Sequence, residues 1–248
     1  MKKNVSNKTG VSWTAQILTL FPEMFPGALA YSLSGKALKK NLWSLDVVNL
    51  RDYASDDRKT VDGPPAGGGA GLILRADIVD KAINDLKIKS NQHNNEWPII
   101  ALSPRGQVFN QKMALNFSKC KGVTLICGRY EGFDERVLEF HSIPEVSIGD
   151  FIMSGGEIAA QVLIDSTVRL IPQVIGNQDS LVEESFSTGL LEYPQYTNPR
   201  IWRDLHIPEE LLSGHHQKIR QWRIKKSEEL TKIRRPDLWI KYKNPSKN

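Results

Sequence analysis

Up to Pro172 the apolar residues recur in two alternating rhythms. Nearly continuous apolar runs occupy Ser12–Phe21, Trp43–Leu50, Trp97–Ser103 and Val123–Cys127. Runs of this length predict strands covered on both faces. Between them the spacing lengthens. Over Ala76–Lys89, the residues Ile78, Val79, Ala82, Ile83 and Leu86 share one face of a predicted helix. A short helical stretch opens at Ser34, and another spans Asp134–Phe140 with Asp134 as its cap. A longer helix is predicted over Gly156–Ile171, closed by Pro172. Strands alternating with helices predict an α/β body with a largely parallel sheet.

The pattern changes after Pro172. Residues 173–198 are polar and aperiodic until Leu190 and Leu191. Pro208-Glu209-Glu210 then reads as a helix start, His215–Ile233 as a basic helix, and Pro236 as the start of a last short one. The expected organisation is a disordered extension over 1–11, a body over 12–172, a flexible linker over 173–198 and a small helical domain over 199–248.

Charge sharpens that division. The chain carries a formal +5, but from Arg200 onward thirteen Lys/Arg face six Asp/Glu, while the preceding residues hold twenty against twenty-two. A basic segment beside a near-neutral body predicts a polyanionic partner, nucleic acid above all. No run of apolar residues is long enough for a membrane span, and Lys2, Lys3 and Lys8 precede no signal-type apolar stretch. The two cysteines, Cys120 and Cys127, match no zinc or redox spacing and read as buried free thiols in a reducing cytosol.

Three glycine-bearing segments follow strands of the body: Ser103–Gly106, Gly128–Gly132 and Ile148–Gly156. Ligands of parallel α/β proteins bind at the carboxyl ends of strands, and glycine lets the backbone approach them. The three are therefore candidate walls of one small-molecule site. Neither a phosphate-binding G-x-x-x-x-G-K-[ST] nor a G-x-G-x-x-G after the first strand is present. Gly67–Gly71 reads equally as a mobile loop or as a segment closely approached by another chain.

The segments Leu20–Phe25, Gly67–Gly71, Leu102–Pro104, Cys127–Gly132, Ser147–Asp150, Ser154–Glu157, Ser185-Phe186, Gly189–Leu191, Tyr196-Thr197 and Leu212–Gly214 stand in one order. In that order the chain resembles the bacterial tRNA (guanine-N1)-methyltransferases of the SPOUT superfamily, from about Trp13 to Trp239. The resemblance implies a SPOUT-type parallel sheet with a deep trefoil knot, a rare exception to unknotted topology. It also implies a small α-helical C-terminal domain. The implied protein is a cytoplasmic homodimer with active sites at the subunit interface. S-adenosyl-L-methionine would be the methyl donor, with Mg²⁺ a possible further requirement. The implied reaction methylates N1 of the guanine directly 3′ of the anticodon, position 37 of tRNA, and so helps maintain reading frame.

Carried over by position, the resemblance implies a donor site of Leu102, Ser103, Pro104, Gly106, Gly128, Tyr130, Glu131, Ile148, Gly149, Phe151, Ile152, Met153, Gly155 and Gly156. Arg169 matches the arginine that would stabilise charge developing on guanine O6, and Glu184 stands where the family has the aspartate that removes the N1 proton. Arg200, Arg203, Lys218, Arg220, Arg223 and Lys225 are the expected tRNA-phosphate contacts. Phe151 and Met153 replace Tyr and Leu, Arg105 replaces a frequent Gln, and Asn198 replaces a usual Arg. Three other readings stay open on sequence: a SPOUT methyltransferase for another RNA position, a non-catalytic RNA-binding homologue, and a metabolic enzyme with a nucleotide cofactor.

Overall fold

The computed structural model describes residues 13–89, 96–176 and 184–244. The expected extension over 1–11 lies outside them. The chain divides after Gly176 into two compact units.

The first unit is built on five parallel strands: β1 (Thr14–Thr19), β2 (Ser44–Asn49), β5 (Ile99–Val108), β6 (Gly122–Cys127) and β7 (Glu145–Ser147). Their order is β2-β1-β6-β5-β7. Alternating side chains of β1 serve two separate cores. Ala15 and Ile17 join one, and Leu18 joins the other with Leu20 just past the strand end. This is the two-sided burial that the apolar runs predict. Helix α2 (Ala76–Lys89) covers one face, and all five of its predicted core positions are at most 1 % exposed. Helix α5 (Glu157–Val168) covers the other.

Buried polar groups need partners, and here they are supplied in register. Gln16 pairs with Asp46 on β2 and Thr124 on β6. Its Nε2 donates to Asp46 Oδ2 at 2.9 Å, and its Oε1 accepts from Thr124 Oγ1 at 2.9 Å. Trp97 Nε1 donates in turn to Thr124 Oγ1 at 3.1 Å. The Asp134 cap forms as expected, its side chain accepting from Arg136 N ahead of α4 (Glu135–His141).

Several elements depart from the sequence reading. Ser103–Gly106 is not a loop after a finished strand. β5 runs to Val108, and both Leu102 and Gln107 pair with Val146 of β7, so the residues between them bulge out of the ladder. Gly106 is needed there because a Cβ would overlap the Glu145–Val146 backbone. Helix α1 (Ser32–Lys39) begins before Ser34, and α3 (Gln111–Ser118), capped by Asn110, stands where no helix was predicted. The Gly67–Gly71 run joins the short strands β3 (Asp62–Gly63) and β4 (Ile73–Leu74). Its far end docks on the 128–132 loop, where Glu131 N donates to Leu72 O and Leu74 N to Gly132 O.

The second unit holds a hairpin, β8 (Ile201–Trp202) and β9 (Leu205–His206), followed by α6 (Glu209–Leu212), α7 (His216–Arg234) and α8 (Pro236–Lys243). Part of the stretch expected to be linker packs within this unit. Leu190 is buried, and Leu191 N donates to Oγ1 of the fully buried Thr231 on α7 at 2.9 Å. Tyr196 meets the buried Trp222 edge-on at 6.1 Å.

Candidate active site

Parallel strands run toward one edge of the sheet, so the bulge of β5 and the segments leaving its neighbours β6 and β7 lie side by side. They enclose a cavity of about 390 Å³. Leu102, Ser103 and Pro104 come from the β5 bulge, and Gly128, Tyr130 and Glu131 from the loop after β6. Ile148, Gly149, Phe151, Ile152, Met153, Gly155 and Gly156 come from the loop between β7 and α5. Thirteen of the fourteen residues assigned to the donor site by resemblance thus line one cavity. Gly106 does not; it is the packing glycine of the bulge.

Residues outside the resemblance complete the walls. Ala159 of α5 and Phe133 add apolar surface. Arg105 spans the rim, with Nη2 at 2.8 Å from Glu135 Oε2 and 3.0 Å from Glu145 Oε1. Those two carboxylates raise the guanidinium pKa further above its usual value. Ionised groups at the rim and apolar groups deeper in suit a ligand with a charged end and a flat apolar end.

One buried ion pair binds the loops together. Glu157, the first residue of α5, has a side chain only 1 % exposed. Its Oε1 accepts from Thr19 Oγ1, at the end of β1, at 2.7 Å. Its Oε2 lies 2.9 Å from Nη2 of Arg129, in the loop after β6. Arg129 Nη1 donates to Ser154 O at 3.2 Å, and the guanidinium sits 4.2 Å from the Phe21 ring centroid. Gly155 permits this approach, since a Cβ there would overlap the Arg129 side chain. Neither residue was assigned to the site on sequence. Glu157 stood out only as the last letter of Ser-Gly-Gly-Glu, and its partner lies 28 positions away in sequence, beyond any local pattern.

The two residues given chemical roles lie elsewhere. Arg169 follows the last turn of α5 and lines a different depression of about 630 Å³ with Tyr31, Leu33, Ile158 and Val162, on the first unit's outer surface. Glu184 belongs to the second unit, where Ser187 N donates to its carbonyl at 3.2 Å. Of the expected tRNA contacts, Arg200, Arg203, Lys218, Arg220 and Lys225 are exposed. Arg223 is half-buried, its guanidinium 4.8 Å from the Tyr193 ring centroid. No helix among the described residues is long and apolar enough to cross a membrane.

A five-stranded parallel α/β unit with one pocket between a strand bulge and two strand-end loops is an architecture suited to a small ligand, and a basic helical unit follows it in the chain. The chain belongs to the family described as tRNA (Guanine-1)-methyltransferase TrmD, which matches residues 14–241. A tRNA (guanine-N(1)-)-methyltransferase of Cereibacter sphaeroides strain KD131 is 55% identical over 231 residues, 93% of each chain. The protein of that name from Ruegeria sp. strain TM1040 is 57% identical over 230 residues, again 93% of each. That from Pelagibacter ubique is 53% identical over 231 residues, 93% of this chain and 99% of the relative.

Proposed function

We propose that this protein transfers the methyl group of S-adenosyl-L-methionine to N1 of the guanine directly 3′ of the anticodon, position 37, in tRNA. The observation that carries this reading is the convergence of the three glycine-bearing segments on one cavity. The family membership and the similarity to proteins named for tRNA guanine-N1 methylation support the reaction type. When bound, the donor supplies an activated methyl on a sulfonium.

The chain's own residues have three tasks. The cavity holds the donor, with Phe151, Ile152 and Met153 offering an apolar wall for a flat base and Tyr130 and Glu131 a polar edge. Glu184 accepts the N1 proton, and Arg169 stabilises the negative charge that spreads to O6 as the proton leaves. Arg200, Arg203, Lys218, Arg220, Arg223 and Lys225 grip tRNA phosphates. Among the described residues no three His, Cys, Asp or Glu side chains are grouped to hold a metal ion. No step here runs through one.

The same reading includes a deep trefoil knot, a homodimer and a cytoplasmic setting. The knot is supported by the strand order, with β6 inserted between β1 and β5, and by Gly156 N donating to Gly128 O at 2.9 Å, which brings a late segment against an earlier loop. The dimer is supported by the exposed apolar side chains Tyr31, Leu33, Ile158 and Val162 on one surface of the first unit, beside Arg169. An active site at the subunit interface would bring Arg169 to a partner's Glu184. The free thiols fit a reducing cytoplasm.

The test is mass mapping of methylated bases after incubation with donor and tRNA transcripts. One methyl at N1 of the guanine after the anticodon is expected, absent from transcripts in which that guanine is replaced. Methylation elsewhere, or none, overturns the reading.

A further inference from the structure

We propose that Glu157 is the positioning residue that sets the shape of the donor cavity, acting through Arg129 and Thr19. The proposal rests on the reading of that cavity as the donor site. Its basis is where the ion pair sits. Glu157 follows Gly156, Arg129 lies between Gly128 and Tyr130, and Ser154, held by Arg129, precedes Gly155. Glu157 and Arg129 thus each adjoin residues that line the cavity, and Ser154 lines it itself. Thr19 ties the same carboxylate to the end of β1, a strand that contributes nothing to the lining. The result is a brace from the sheet to two of the three walls.

Stability alone is a poor reason for such a pair. Removing two charges from water costs about as much as their attraction returns, so buried ion pairs are weak stabilisers and serve best to fix one arrangement among several. The geometry agrees. Arg129 Nε and Glu157 Oε2 have no hydrogen-bond partner among the described residues, so charge and packing rather than linear hydrogen bonds hold the two together. A neutral side chain of the same shape at 157 removes the attraction. Arg129, 17 % exposed, is then free to turn to solvent, and the loop from Ile148 to Gly156 loses its hold on the loop after β6. Glutamate at the first position of α5 also suits the helix dipole, which the neutral variant gives up.

The experiment uses the full chain and calorimetric titration with S-adenosyl-L-methionine, alongside steady-state methylation. Glu157→Gln is expected to weaken donor binding roughly tenfold or more, about 1.4 kcal/mol. The donor KM rises in step, kcat at saturating donor is retained, and tRNA affinity is unchanged. Arg129→Lys keeps the charge without the fork and is expected to fall between the two. Should Glu157→Gln not fold, Thr19→Val removes the 2.7 Å bond at the brace's other end and is expected to weaken donor binding roughly three- to tenfold. Folded variants that bind donor as tightly as the native protein, with only a lower melting temperature, overturn the proposal. Native protein that fails to bind the donor sinks the reading of the cavity first, and this proposal with it.

Discussion

At the scale of single residues, the proposed base Glu184 is one methylene longer than the aspartate that the resemblance implies at its position. A misplaced reacting group can cost roughly a hundredfold per ångström, so Glu184 needs a backbone set to its length. Its neighbours are fixed locally: Glu192 N donates to Ser185 Oγ at 2.9 Å and Phe186 N to Leu190 O at 2.7 Å. Glu184→Gln is expected to lower methyl transfer by about 10²–10⁴-fold at saturating substrates. Donor affinity stays the same, because the donor cavity lies wholly within the first unit. Near-native turnover in a single-turnover assay would remove Glu184 from its role. The cysteines make a second prediction. Burial, reinforced by the Glu157 charge and opposed by Arg129, raises the Cys127 thiol well above its ordinary pKa. The thiolate is the reactive form, so alkylation of native protein near pH 8 is expected to label half-buried Cys120 slowly and Cys127 only after unfolding. Mass spectrometry of the labelled peptides reads this directly, and native labelling of Cys127 contradicts it.

At the scale of elements, what could be read in advance depended on how local the determining physics was. Helix α2 was legible to its ends because its burial follows from its own 3.6-residue period. The three glycine segments were legible as candidates because their glycines cluster, two of them directly after apolar runs. The β5 bulge was not, since it depends on two residues of one strand sharing Val146 on another. Nor was the brace at Glu157, which joins residues far apart in sequence. The β8–β9 hairpin escaped for a different reason. Its turn residues, Arg203 and Asp204, have φ of 49° and 63°, where hairpins of this kind normally use Asn-Gly. Left-handed backbone at such residues costs of order 1 kcal/mol each and tends to mark functional sites. Here the turn presents Trp202, 57 % exposed, with the Arg203 guanidinium 5.0 Å from its ring centroid. An aromatic face under a cation suits a nucleobase. Trp202→Ala is expected to weaken tRNA binding by about 1–3 kcal/mol without changing donor binding. Equal tRNA affinity in the variant would remove the hairpin from the RNA surface. Within the same unit, Thr231→Val should cost about 1–3 kcal/mol in urea unfolding because it orphans the Leu191 amide, and Thr231→Ser should restore most of it.

At the scale of the whole molecule, the proposed reading assigns donor binding to the first unit and the tRNA-phosphate contacts to the second. The residues before Arg200 are near neutral, and the segment from Arg200 onward supplies the excess of cations. Affinity for tRNA should therefore fall steeply as salt rises, while donor affinity changes little. The division also bears on subunit number. Arg169 does not line the donor cavity; it lies on an outer surface beside the apolar Tyr31, Leu33, Ile158 and Val162. A cation placed there can serve a reaction only if a second surface closes over it, and a two-fold dimer supplies one from an identical chain. Mixing two inactive variants decides the matter. If each active site takes Arg169 from one subunit and Glu184 from the other, a heterodimer of Arg169→Ala and Glu184→Gln chains keeps one intact site of two. Random re-pairing after mixing then makes half the dimers mixed, and activity returns to about a quarter of the native level. If both residues of a site come from one chain, every site in the mixture lacks one of them and no activity returns. Recovery near a quarter, rising with the time allowed for subunit exchange, is the expected result. Its absence, once exchange has been verified by native mass spectrometry, rules out a site shared between subunits.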